Sequence, residues 1–184
     1  NKANLYTINP ETGAAILVNT LKAATDSTFT NLEGTAFAVD FNPAADRLRV
    51  ISNTGQSLRI NVDTGDTIRD GDIKGIAGAI ISAAAYSNSF KTSVVGLATE
   101  LFDLDQTNQI VVKQDPPNTG TLNRIGGLGI NLGLDNGFDI AGGDNGYALA
   151  TVANASGPSV LYRIDLSITM SDSRAKPAIN VDGT

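Results

Sequence analysis

Three short segments of the chain carry oxygen-bearing side chains at matching places. They read Ala38-Val39-Asp40-Phe41-Asn42, Ala84-Ala85-Tyr86-Ser87-Asn88 and Gly137-Phe138-Asp139-Ile140-Ala141. Asp40, Tyr86 and Asp139 are equivalent in this alignment, and Asn42 and Asn88 stand two residues further on. Carboxylate and amide oxygens converging on one axis suit Ca2+, a hard cation that takes about six to eight oxygen ligands. Asp40, Asn42, Asn88 and Asp139 are the candidate ligands. A cation held there could polarise a carbonyl, which is the chemistry of a calcium-dependent lactonase or esterase. A simpler role competes with it. An Asp ahead of Phe-Asn-Pro can cap a turn by accepting backbone amides, and it would then recur because the turn recurs.

The second constellation is basic. Arg47, Arg49, Arg59 and Arg69 lie close together in the sequence. In a strand, Arg47 and Arg49 point to one face, and Arg59 falls on the neighbouring strand. Such a row (Arg47, Arg49, Arg59) could grip a carboxylate or a sulfated glycan through bidentate contacts. It could equally pair with the chain's own Asp46, Asp63 and Asp70. Asp103-x-Asp105-x-Thr107 resembles the opening of a calcium loop, but Asn108 stands where the loop needs glycine and the closing Glu is missing. Asp63, Asp66, Asp70 and Asp72 read as a solvated hairpin. Tyr6 and Tyr162 could stack on sugars, although both occupy places where a core aromatic is expected.

Nucleophilic catalysis finds little support. Cys and His are absent, which removes disulfides, thiolate nucleophiles, Cys/His zinc sites and His-based dyads. No G-x-S-x-G elbow is present, and Gly126-Gly127-Leu128-Gly129 lacks the following helix that a phosphate loop requires. Only Glu11, Glu33 and Glu100 supply glutamate. The formal charge is −6. With no Lys/Arg stripe to offset it, this argues against nucleic acid as a partner. The longest apolar run, Gly75 to Tyr86, falls short of the roughly 20 residues of a membrane-spanning helix.

The elements that must position these side chains are strands. Residues that fill exposed helix faces are scarce, whereas Asp, Asn, Thr and Gly are abundant. One five-residue frame recurs: Leu5-Tyr6-Thr7-Ile8-Asn9, Ser57-Leu58-Arg59-Ile60-Asn61, Leu101-Phe102-Asp103-Leu104-Asp105 and Leu161-Tyr162-Arg163-Ile164-Asp165. Its second and fourth places are large and apolar, and the fifth is Asn or Asp. The copies recur every 40 to 60 residues or so, the order of spacing of propeller blades.

Ahead of three frames lie the Asp40/Tyr86/Asp139 column and then a further strand, Arg47–Ile51, Val94–Ala98 or Tyr147–Thr151. An outer strand such as Ala15–Val18 or Leu122–Ile125 follows a frame. Turns are marked by Asn42-Pro43, Asn53-Thr54-Gly55, Pro116-Pro117-Asn118-Thr119-Gly120 and Asp144-Asn145-Gly146. The expectation is an all-β, β-propeller-like array of four-stranded antiparallel blades, about three and a half in this chain. Residues 1–184 form a single domain, with a half-blade at 1–21 and blades near 35–73, 81–128 and 137–182, the frame being the third strand of each blade. An open half-blade leaves unpaired backbone groups along an edge. That edge points to self-association by strand addition, with rearranged or missing strands as the alternative.

The run Asp40-Phe41-Asn42-Pro43-Ala44-Ala45-Asp46-Arg47-Leu48-Arg49-Val50 is followed by Ser52-Asn53-Thr54-Gly55-Gln56-Ser57-Leu58-Arg59-Ile60-Asn61. Together with AAAYSNS at 83–89, DPPNTGTLNRIGGLG at 115–129 and Gly137–Ala141, it resembles a bacterial family catalogued as domain of unknown function 4394. The resemblance spans nearly the whole chain. It implies propeller-like repeats and an extracellular or cell-surface location, and it carries no catalytic residue. The expectation is therefore a non-enzymatic structural or adhesive module that self-associates, possessing neither a cofactor nor a transmembrane segment. The alternatives are a Ca2+-dependent hydrolase and a glycan-binding module.

Overall fold

The computed structural model describes residues 3–90, 98–142, 148–153, 158–166 and 179–180. The strand expected at Val94–Ala98 and the turn at Asp144-Asn145-Gly146 lie largely or wholly outside them. Among the described residues the chain is all-β, relieved only by a 3-10 turn at Pro117–Thr119. Among these residues, no helix is long and apolar enough to cross a membrane.

Three open sheets follow one another along the chain, each with four consecutive antiparallel strands. The first holds β4 (Phe37–Asn42), β5 (Arg47–Ser52), β6 (Ser57–Ile60) and β7 (Asp66–Arg69). The second holds β8 (Ile81–Tyr86), β9 (Leu101–Asp105), β10 (Ile110–Gln114) and β11 (Leu122–Gly127). The third holds β12 (Asn136–Ile140), β13 (Ala148–Val152), β14 (Val160–Ile164) and β15 (Ile179–Asn180). Ahead of them, β1 (Asn4–Ile8) and β2 (Ala15–Thr20) form a separate two-stranded sheet. The short β3 (Lys22–Ala23) then joins the outer side of β7 in parallel, making the first sheet five-stranded.

The sheets meet along their first strands, with β8 packed against both β4 and β12. Ala83, Ala84 and Ala85 make this possible. All six residues of β8 are buried, and small side chains let a neighbouring strand approach from either side. The core divides accordingly. Ala38 and Ile51 of the first sheet meet Ile81, Ala84, Tyr86, Leu101 and Val112 of the second. Ala85, Phe102, Leu104 and Val111 of the second sheet meet Ile140, Ala150 and Ile164 of the third. The opposite face of the first sheet, Val50, Leu58 and Ile60, is covered by Leu21 and Phe29 of the leading segment.

One equivalence expected from the sequence does not hold. Ser57 and Leu161 open third strands, but the Leu101 frame is the second strand of its sheet, with Tyr86 directly opposite Leu101. The second and third strands of a blade share the same alternation, so the frame text alone cannot tell them apart. The apolar pair consequently faces differently in each sheet. Phe102 and Leu104 face the third sheet, while Tyr162 and Ile164 face the second.

Tyr6 is a further correction. Its frame place predicts a core aromatic, yet it is 52% exposed. Among the described residues, nothing packs as a second layer over that face of the β1–β2 sheet. Tyr162, by contrast, is partly buried on the core between the second and third sheets.

Candidate functional site

The aligned column gathers at one end of the first strands. Asp40 of β4 and Asp139 of β12 line one cleft of about 680 Å3, together with Phe41, Asn42, Pro43, Asp46, Ser89 and Phe90. Asp40 is already engaged, because its Oδ2 accepts the Tyr86 amide at 2.6 Å. Burial pushes its pKa up against the pull of the Tyr86 and Phe41 amides, and the negative charge of Asp139 adds to the rise. The two carboxylates are thus near enough to feel one another.

Asn42 and Asn88 are placed differently. The Asn42 side-chain oxygen accepts the amides of Ala44 and Ala45, each at 2.9 Å, and so closes the turn from β4 to β5. Asn88 takes a left-handed backbone, φ 59°, and its Nδ2 donates to the Ala98 carbonyl at 2.6 Å. It is not part of the cleft lining. Among the described residues, no three Asp, Glu, His or Cys side chains are grouped to hold a metal ion. What the cleft offers is a pair of interacting carboxylates beside the exposed rings of Phe41 and Phe90. Asp105 acts as a turn cap. Its Oδ1 accepts the amides of Ile80, Thr107 and Asn108.

The arginines divide. Arg49 and Arg59 stand directly opposite one another on β5 and β6, and both reach Asp70. Asp70 Oδ2 accepts Arg49 Nη1 at 2.6 Å and Arg59 Nε at 2.7 Å, and its Oδ1 accepts Arg59 Nη2 at 2.9 Å. Arg49 is 1% exposed. Its Nε donates to the Tyr86 hydroxyl (3.1 Å), Nη1 to Ser57 Oγ (3.0 Å) and Nη2 to Asn118 Oδ1 (2.8 Å). Tyr86 belongs to the second sheet and Asn118 to the 3-10 turn between its β10 and β11, so one guanidinium joins two sheets. Arg47 turns back on its own loop and donates to the Asp46 carbonyl at 2.6 Å. Arg69 pairs with Glu33 and Asp72. Of the three expected as a row, Arg49 is buried, while Arg47 and Arg59 are both partly exposed.

Other polar residues of the distinctive run are committed in the same way. Asn53 Oδ1 accepts the Thr35 amide, Gln56 Oε1 accepts the Glu33 amide, and Asn61 Oδ1 accepts the Asp63 amide. The run specifies turns and latches.

The leading hairpin lies in the segment expected as a half-blade, and what the residue types did not announce is how much of its apolar surface is exposed. β1 and β2 pair only with one another among the described residues, so each keeps one unpaired edge. Ile8 is 67% exposed and Ile16 69%, and Tyr6, Leu17 and Val18 are exposed as well. The hairpin is tethered at its base. Asn19 Nδ2 donates to the Val62 carbonyl, and Leu21 N to the Ala3 carbonyl. Gly65, at φ +76°, lies so near Thr20 that a Cβ would sit 2.6 Å from its carbonyl oxygen. Period-two alternation marks these strands in the sequence but does not say whether a second layer covers them.

A family model described as a domain of unknown function, DUF4394, matches residues 1–176. The chain belongs to this family. No curated protein and no solved structure matches it.

Proposed function

We propose that this DUF4394 member is a non-enzymatic structural or adhesive module of the β-propeller type, exported or surface-held, which self-associates through its leading hairpin. The single observation that carries the reading is that hairpin, which pairs only with itself among the described residues and keeps large apolar side chains open to solvent. A two-stranded sheet alone is marginal in water, and added strands are the usual way to complete one. Three successive four-stranded meanders meeting on their first strands support the propeller arrangement. The commitment of Arg49, Arg59, Asn42 and Gln56 to the fold leaves few polar groups for chemistry.

Negative-stain microscopy and light scattering of the purified protein test the reading. The wild type should form dimers or longer assemblies, and Ile8→Lys with Ile16→Lys should leave monomers of unchanged melting temperature. A monomeric wild type at high micromolar concentration would sink the proposal.

A second reading rests on the cleft. Asp40 and Asp139 there could hold a cation such as Ca2+. A melting temperature unmoved by millimolar CaCl2 or by chelator would dispose of it.

A further inference from the structure

Asp103 is the centre of β9, opposite Ala84 on one side and Val112 on the other, and it faces the seam between the first and second sheets. It is 0% exposed, and neither carboxylate oxygen has a hydrogen-bond partner. An ionised carboxylate in such a place costs several kcal/mol unless it is paired. Burial raises its pKa to about 8, even though the positive charge of Arg49 acts to lower it. At neutral pH the side chain is therefore mostly a neutral acid.

The charge that acts on Asp103 is that of Arg49, and the polar groups of the two sheets near this pair are already arranged. From the first sheet come Arg49 on β5, Asp40 opposite it on β4, Arg59 opposite it on β6, and Asp70 just after β7. From the second sheet come Tyr86 on β8, with its hydroxyl on Arg49 Nε, and Asp105 on β9 itself, bound to backbone amides. Arg49 has five N–H donors, and four go to Tyr86, Ser57, Asp70 and Asn118. The nearby acid without a partner and the guanidinium with a donor to spare are natural counterparts.

We infer that Asp103 and Arg49 form a proton-controlled latch between the first two sheets. As a neutral acid Asp103 leaves Arg49 on Asp70; once its proton has passed to solvent base, its carboxylate competes with Asp70 for the same guanidinium. Turning Arg49 toward Asp103 draws it off Asp70 within the first sheet and exchanges its bond to Tyr86 across the seam for a pair with Asp103. The sign of the effect is fixed. Asp103 binds its proton more tightly in the folded chain than in the unfolded one. The stability it permits is therefore complete in acid and is lost as the pH climbs from about 4 through about 8.

Carbon-13 NMR of the wild-type chain, with Asp103 assigned through the backbone, reads the latch directly. Its carboxyl carbon should titrate with a midpoint near 8, and the Tyr86 ring signals should move with the same midpoint. A midpoint below about 5 overturns the inference, as does a titrating Asp103 with static Tyr86 and Arg49 signals. Melting temperature against pH gives a second readout. The wild-type value should fall by several degrees between about pH 5 and 9, while Asp103→Asn stays level over that window. Parallel curves for the two proteins overturn it too. Should the Asn variant not fold, the wild-type titration decides alone.

Discussion

The seam between the first two sheets and the leading hairpin invert the usual placement of polar and apolar groups. In the seam, Arg49, Asp70 and the Tyr86 hydroxyl are held in the interior with Arg59 partly exposed beside them, and Arg49 is 1% exposed. In the hairpin, Ile8 and Ile16 are more than two-thirds exposed. Charge is tolerated inside because most donors and acceptors are matched, with Asp103 and the Gln114 Oε1 exceptions among the described residues. Apolar side chains sit outside because, among the described residues, nothing covers that face of the sheet. The seam is closed by contacts between two sheets of the chain, whereas the hairpin pairs only within itself among the described residues.

Breaking the seam should cost most. Asp70→Ala leaves Arg49 and Arg59 without their shared carboxylate, and unfolding free energy by urea titration should drop by about 3–5 kcal/mol. Leu104→Ala in the core between the second and third sheets is expected to cost about 2–5 kcal/mol in the same assay. Tyr86→Phe removes one acceptor from buried Arg49 Nε, and a loss of about 1–3 kcal/mol is expected. Ile16→Ala, an aliphatic truncation like Leu104→Ala but on the hairpin, should change stability by less than about 0.5 kcal/mol. A loss as large as that of Leu104→Ala would mean that the hairpin is covered within the chain, and the comparison would fall.

Much of the fold was legible from alternation and punctuation. The strands at 37–42, 47–52 and 57–60 follow from the apolar text between Asn42-Pro43 and Asn53-Thr54-Gly55. The division into three sheets follows from the recurring frame. The place of the Leu101 frame within its sheet was not legible, because second and third strands alternate alike and only Tyr86 lying opposite Leu101 fixes the order. The site was read less well. Asp40 and Asp139 do share a cleft, but Asn42 closes a turn and Asn88 lies outside the lining. Whether a side-chain oxygen faces a ligand or its own backbone depends on loop geometry that residue spacing does not encode.

What the sequence determined by itself is the class of structure and its local grammar. Turn-forming Asn, Asp and Gly, period-two strands, and the lack of Cys and His leave an all-β chain with little nucleophilic equipment. Tertiary packing decided which polar residues are free. Arg49 and Arg47 are two residues apart on one strand, yet one is sealed between sheets and the other bends back to its own loop. Asp103 became a neutral acid, and Ile16 a solvent-facing side chain, only when some sheets gained neighbours and the hairpin did not. Burial is a property of what packs on top, and that information is spread over the whole chain rather than written at the residue.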